Sequence, residues 1–293
     1  MTFVTNAPRI GVVFRPQLPP ERLREFVKRA DQAGLDDVWV WEDCFAEGGL
    51  TTATAALAWS GALRVGLGLM PVPLRSPALA AMEVATLARL FPGRFVPAVG
   101  HGVQEWMGQV GARAASPMRL LREWTAAVRS LLHGQSVTVS GEYVRLEGVA
   151  LDWPPATVPP LLVGARGPRT LALAGELGDG VVLDAGVSPD GVRRAVEQAG
   201  ARGPHEVVVY VMAGANASAR ARIDAELAQS GRSAPPAVAV GTPGQVADLV
   251  RRYAQAGAST VVLQPAGTDP DMAGLIELAA ATRAIFPTGS TTS

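Results

Sequence analysis

The residues with chemistry to offer sit where short apolar runs end. Leu161-Leu162-Val163 breaks at Gly164-Ala165-Arg166-Gly167-Pro168, and a helical pattern begins at Arg169. Glycines let backbone N–H groups approach a ligand closely, a helix start adds partial positive charge, and Arg166 adds a full one. That loop suits a phosphate or an anionic cofactor tail. An ordinary strand-to-helix turn with proline at the first helical position uses the same residues. The other run ends offer Glu42, Asp43 and Cys44; Gly68-Leu69-Met70; Gly100-His101-Gly102 with Trp106 nearby; Asp184; Met212-Ala213-Gly214; and Gln264-Pro265.

This inventory is mostly glycine and apolar side chains, which excludes several chemistries. A glycosidase needs two facing carboxylates, and the fourth and seventh runs supply none. A metal site needs three or four converging ligands; only His101 with Glu42, Asp43 or Asp184 could combine, so no metal is expected. Lys28 is the single lysine and lies in the first helical segment, which argues against a Schiff-base or P-loop enzyme. The pattern suits a broad organic cofactor lying on backbone, with the protein supplying shape and hydrogen bonds. Duller roles stand beside these. Glu42 or Asp43 can cap the next element, His101 can be structural, and Asp184 can pair with a neighbouring arginine. Cys44, with no basic neighbour, reads as a small buried residue.

The elements that must hold these residues alternate. Strands are expected at 9–14, 37–41, 64–70, 94–99, 161–163, 181–184, 206–213 and 260–263. Helices are expected at 20–33, 51–60, 77–90, from 117, from 168, from 189, up to about 229, 243–256 and 271–285. Five of them open on a small residue and proline: Ser76-Pro77, Ser116-Pro117, Gly167-Pro168, Ser188-Pro189 and Thr242-Pro243. An insertion is expected at 103–115 and a small hairpin at 137–146. Nearly all strands are unbroken apolar runs, which signals parallel strands covered on both faces. The reading is one α/β domain over 1–293, a (β/α)8 TIM barrel with insertions after the fourth strand and its site where strands end. An open doubly wound sheet would carry its glycine fingerprint after the first strand, where this chain has Arg15-Pro16.

Size and composition agree. The 293 residues are 48% apolar with a formal net charge of zero, so nothing favours nucleic acid or a membrane surface. One cysteine excludes an internal disulfide. No run is long enough for a membrane span, and MTFVTNAPRI lacks the layout of a secretory leader, so a cytoplasmic enzyme is expected.

Several phrases, in order, resemble the bacterial luciferase-like family of flavin-dependent oxidoreductases. They look closest to its deazaflavin-dependent, methylenetetrahydromethanopterin-reductase-like branch. The phrases are DDVWVWED (36–43), RVGLGLMPVPLRSPALAAMEVATLARLFPGRFVPAVGHG (64–102), the segment 116–155, PPLLVGARGPRTLALAGELGDGVV (159–182) and VGTPGQVADLVRRYAQAGASTVVL (240–263). The resemblance implies a barrel with coenzyme F420, or alternatively FMN, at the strand ends. It assigns the cofactor phosphate to Gly164, Ala165, Arg166 and Gly167. It puts a non-proline cis peptide against the ring at Gly68-Leu69, with Gly100, His101 and Gly102 near ring and side chain. Asp43 and Asp184 join these as expected cofactor contacts. The acid–histidine pair that often ends the second strand falls on Glu42-Asp43, so a histidine there is missing. A glutamate found after the fourth-strand glycine in some relatives is Val103 here. Glu42 and His101 are then the candidates for proton transfer, and Trp41, Met70 and Trp106 for the substrate pocket.

The expected activity is hydride transfer between the deazaflavin and a small organic substrate. Its rivals are a monooxygenase using reduced FMN and oxygen, and a non-catalytic cofactor-binding barrel. The expected partner is a small molecule, with a homodimer possible.

Overall fold

The computed structural model describes residues 7–229, 237–268 and 270–287. The first six residues of the stretch read for a leader lie outside these. In chain order the elements are β1 (Arg9–Phe14), α1 (Leu23–Gln32), β2 (Asp37–Val40), α2 (Gly49–Trp59), β3 (Arg64–Pro71), α3 (Pro77–Leu90) and β4 (Phe95–Gly100). Next come α4 (Gln104–Gln109), α5 (Pro117–Leu132), β5 (Val137–Ser140), β6 (Arg145–Val149), β7 (Leu162–Gly164), α6 (Pro168–Leu177) and β8 (Gly180–Leu183). The chain finishes with α7 (Pro189–Ala199), β9 (Glu206–Gly214), α8 (Ala217–Gln229), β10 (Ala239–Val240), α9 (Pro243–Gln255), β11 (Thr260–Gln264) and α10 (Met272–Arg283).

Eight strands pair in parallel in the order β9-β11-β1-β2-β3-β4-β7-β8, and β8 pairs back onto β9, closing a (β/α)8 barrel. The closing register sets Gly180 opposite Glu206 and Leu183 opposite Val209. β10 extends the far end of β9, with Ala239 opposite Ala213. β5 and β6 form the expected hairpin, shifted a few residues towards the C-terminus and outside the barrel. No helix among the described residues is long and apolar enough to cross a membrane.

Strand side chains alternate between two cores. Along β9, Val207, Val209 and Val211 pack outward with the helices, while Val208 and Tyr210 fill the barrel. Trp39 also points inward and is fully buried. The adjacent strand β3 is thinned to glycine to admit it: a Cβ on Gly66 would lie 2.3 Å from the Trp39 ring, and one on Gly68 would lie 2.3 Å from the Tyr210 hydroxyl. The barrel is thus a packed plug with its site on top.

Helix starts follow the sequence closely, with one correction. Ser76, Ser188 and Thr242 each accept a backbone N–H from three residues on, and Thr242 with Gln245 forms a reciprocal capping box. Ser116 does not cap α5 with its side chain; instead its backbone N–H donates to the Tyr143 hydroxyl of the hairpin. The insertion after β4 contains α4, which the sequence reading left without structure. Its core contact is Met107, fully buried. Gly34 ends α1 at φ +72°, as a C-terminal glycine should.

Candidate active site

The strand ends enclose one cavity of about 750 Å³. Of the residues singled out from the sequence, Trp41, Glu42, Asp43, Gly68, Leu69, His101, Gly102, Trp106, Gly164, Ala165, Arg166, Gly167 and Asp184 line it together. Two do not. Met70 is 1% exposed and belongs to the outer core, because it follows Leu69 on a strand whose side chains alternate. Gly100 lies beneath the lining, where a Cβ would come within 2.7 Å of Leu69 Cδ2. Gly164 is constrained by the same side chain, at 2.3 Å. Leu69 therefore rests across the ends of β4 and β7, in space that two glycines leave open. The Gly68–Leu69 peptide is cis, and so is Cys44–Phe45. Between Leu67 and Met70 the β3–β4 register shifts, which marks a bulge at this point.

The acidic residues have distinct surroundings. Glu42 receives both Arg75 guanidinium nitrogens, at 2.7 and 2.9 Å, with both side chains largely buried. Arg75 is itself held, since its carbonyl accepts from the Trp124 indole. With both oxygens bound in a bidentate pair, Glu42 is a poor fit to the proton-transfer role expected of it. Asp184 accepts from the Gly186 N–H and pairs with Arg166 at 2.7 Å, the neighbouring arginine anticipated above. Glu226 of α8 is joined by Arg15 at 3.0 Å and by the Gly267 N–H at 2.9 Å. Asp43 differs from all three. Its carboxylate makes no hydrogen bond or ion pair with a described residue, and burial raises its pKa while the charge of Arg15 pulls it back.

His101 is drawn to the glycine-loop side. Its Nε2 lies 3.3 Å from the Thr170 hydroxyl in the first turn of α6. Burial lowers its pKa, with the Pro117 backbone opposing, so the ring is neutral at pH 7. Cys44 is pushed up by burial and by Glu42 and Asp43, which leaves an unreactive thiol.

Several lining residues escaped the sequence reading: Tyr210, Thr170, Glu226 and Leu227. Arg15, at the end of β1, supports them from behind, 11% exposed and 5.9 Å from the Trp41 ring centroid. Tyr210 was hidden inside the apolar run VVVYV, but its parity with the inward Val208 marks it as a barrel residue. Its hydroxyl is buried against Gly68 beside the Trp41 indole; burial pushes its pKa up, while the indole N–H opposes.

The cavity fits a flat ring with an anionic arm. Neither the Arg166 nor the Gly167 N–H donates to another described residue, and both stand at the N-terminus of α6. A Cβ at Gly167 would meet nothing within 4 Å, so the space above the loop is open. Leu69, beside Gly164 of the loop, offers with Trp41 and Tyr210 a broad apolar floor. No group of three or more histidine, cysteine or carboxylate ligands converges among the described residues.

Residues 3–235 match the family described as luciferase-like monooxygenase. A 5,10-methylenetetrahydromethanopterin reductase of Methanolobus tindarius is 30% identical over 266 residues, which cover 89% of this chain and 75% of that protein. An F420-dependent glucose-6-phosphate dehydrogenase of Nakamurella multipartita is 32% identical over 213 residues, which cover 64% of this chain and 61% of its own length. Among solved structures, the coenzyme F420-dependent tetrahydromethanopterin reductase from Methanopyrus kandleri superimposes with a TM-score of 0.81 at 20% identity, covering 96% of this chain and 100% of that one.

Proposed function

The chain belongs to the luciferase-like monooxygenase family, and from that premise we propose that it is an F420-dependent oxidoreductase acting on a small organic substrate. The observation that carries this reading is the pair of free N–H groups at Arg166 and Gly167, which open into the same cavity as the Leu69 floor. Relatives with F420 in their names support the choice of cofactor.

The deazaflavin, when bound, supplies or accepts the hydride; the chain's residues do the rest. The Gly164–Gly167 backbone and Arg166 bind the anionic arm. His101, neutral and tied to Thr170, fixes the loop's far side. Leu69 supports the ring, while Trp41, Met212 and Leu227 exclude water. Glu42, locked by Arg75, holds the turn after β2. Asp43, free of partners, exchanges a proton with the substrate at its carboxyl.

Equilibrium titration with F420 and with FMN tests the cofactor assignment. Micromolar F420 binding is expected, weakened roughly tenfold in Arg166→Ala by loss of one charge-assisted contact. Retention of FMN with oxygen consumption, and no F420 binding, would replace this reading with the monooxygenase one.

A further inference from the structure

We propose that Gln264 sets the specificity of this site: its side-chain amide hydrogen-bonds an uncharged carbonyl or carboxamide of the substrate, across the cavity from the glycine loop. The proposal rests on the oxidoreductase reading above and adds the group by which that site recognises what it receives.

Gln264 is the last residue of β11 and lines the cavity. Strand parity aims it there: Val262, two residues earlier, fills the barrel, while Val261 and Leu263 pack outward. The residue is 8% exposed, and its side chain makes no hydrogen bond with a described residue. A carboxamide brings two N–H donors and a carbonyl acceptor, and burying it unpaired costs free energy. Buried polar groups are nearly always satisfied, so an open one in a cavity wall marks a place where something binds.

The other amide of the cavity wall is already committed. Gln104 Nε2 donates to the His101 and Gly102 carbonyls, at 3.1 and 3.4 Å, and so holds the turn after β4. The Tyr210 hydroxyl and the Trp41 indole nitrogen are sealed in the protein; neither polar atom of the Gln264 side chain is. The surroundings of Gln264 choose the kind of group it meets. Its partner in the β9 register is Met212, 5% exposed, in an apolar cluster with Ala266 and Leu227. The charges beside it are spent on each other, since Arg15 Nη1 bonds both Glu226 and the Pro265 carbonyl. A charged group seated here would lack a counterion, whereas a carbonyl or carboxamide needs only what the glutamine offers. Position assigns the contact to substrate rather than to the cofactor arm: β11 stands three strands round the barrel from β7, which carries the glycine loop.

The test compares the wild-type chain with Gln264→Met, of similar size and without the amide. Calorimetry measures binding of benzamide, acetophenone and α-methylstyrene, the last having the shape of acetophenone without its oxygen, with and without saturating F420. The wild type is expected to bind benzamide and acetophenone about tenfold more tightly than α-methylstyrene, the worth of a neutral hydrogen bond in a closed site, and Gln264→Met to bind all three within about twofold. Without ligand, Gln264→Met should raise the midpoint of thermal unfolding by about 2 °C or more, because it removes an unpaired buried amide. A preference that survives in Gln264→Met, or no preference or no binding in the wild type, would overturn the proposal. So would a lower midpoint in the variant, which would show the amide to be a structural bond, or a tenfold loss of F420 affinity, which would give Gln264 to the cofactor. Absence of F420 binding by the wild type would sink the cofactor assignment instead, and the probe comparison on the unliganded chain would still decide this one.

Discussion

Glu42 and Asp43 are adjacent acids with opposite situations, and a pair of substitutions separates them. Glu42→Gln should lower thermal stability by about 1–2 kcal/mol, because it breaks a largely buried bidentate pair while Arg75 keeps a second carboxylate, Glu83, at 3.4 Å. Its effect on kcat should be modest. Asp43→Asn should lower kcat by about a hundredfold or more, the range for loss of a general acid or base. It should also raise stability at neutral pH. The sign follows from burial: the folded pKa of Asp43 is raised, so the folded state binds more protons above pH 3.8 than the unfolded chain does. Stability then falls as pH rises through that window, and the amide removes the penalty. Thermal melts and steady-state rates on both variants check the assignment; a catalytically dead but stable Glu42→Gln would restore Glu42 as the proton carrier. Adjacency made these two indistinguishable in the sequence, since only the fold brings Arg75 to one of them.

Among the elements, the glycines at strand ends do different work, and added methyl groups reveal it. Gly164→Ala would press on Leu69, a flexible side chain that can move, so the fold should persist while F420 affinity falls about tenfold through a displaced floor. Gly175 on α6 faces backbone instead: a Cβ there would lie 1.8 Å from the Ala199 carbonyl at the end of α7. Gly175→Ala should therefore cost about 3 kcal/mol or more in stability, read from denaturant unfolding. Equal loss of stability in both would mean that Leu69 is rigid structure rather than a cofactor support. Strand positions, helix starts and the glycine loop were legible because each has a local cause: apolar runs, serine or threonine before proline, and a break in pattern. Tyr210 and Glu226 were not. The first needs the inward parity of β9, and the second needs the docking of α8 over the barrel mouth, which no local pattern encodes.

For the molecule as a whole, the two ends of the barrel divide the labour. At the strand starts, Arg9, Asp37, Arg64 and Glu206 interlock, with Asp37 buried between two arginines, and Asp36 binds Arg283 of α10. That rim ties four strands and the last helix together. At the other end, charges are matched across the cavity except at Asp43, and glycine backbone is exposed at the start of α6. Stability and binding are thus placed on opposite faces, as in barrels generally. The central claim is that one cavity seats a deazaflavin on the Leu69 floor with its arm at α6. A crystal structure with F420 bound tests this most directly. The expected result shows the arm's phosphate accepting from the Arg166 and Gly167 N–H groups, and the ring between Leu69 and Trp41. A cofactor bound elsewhere, or with its phosphate away from α6, would contradict the account.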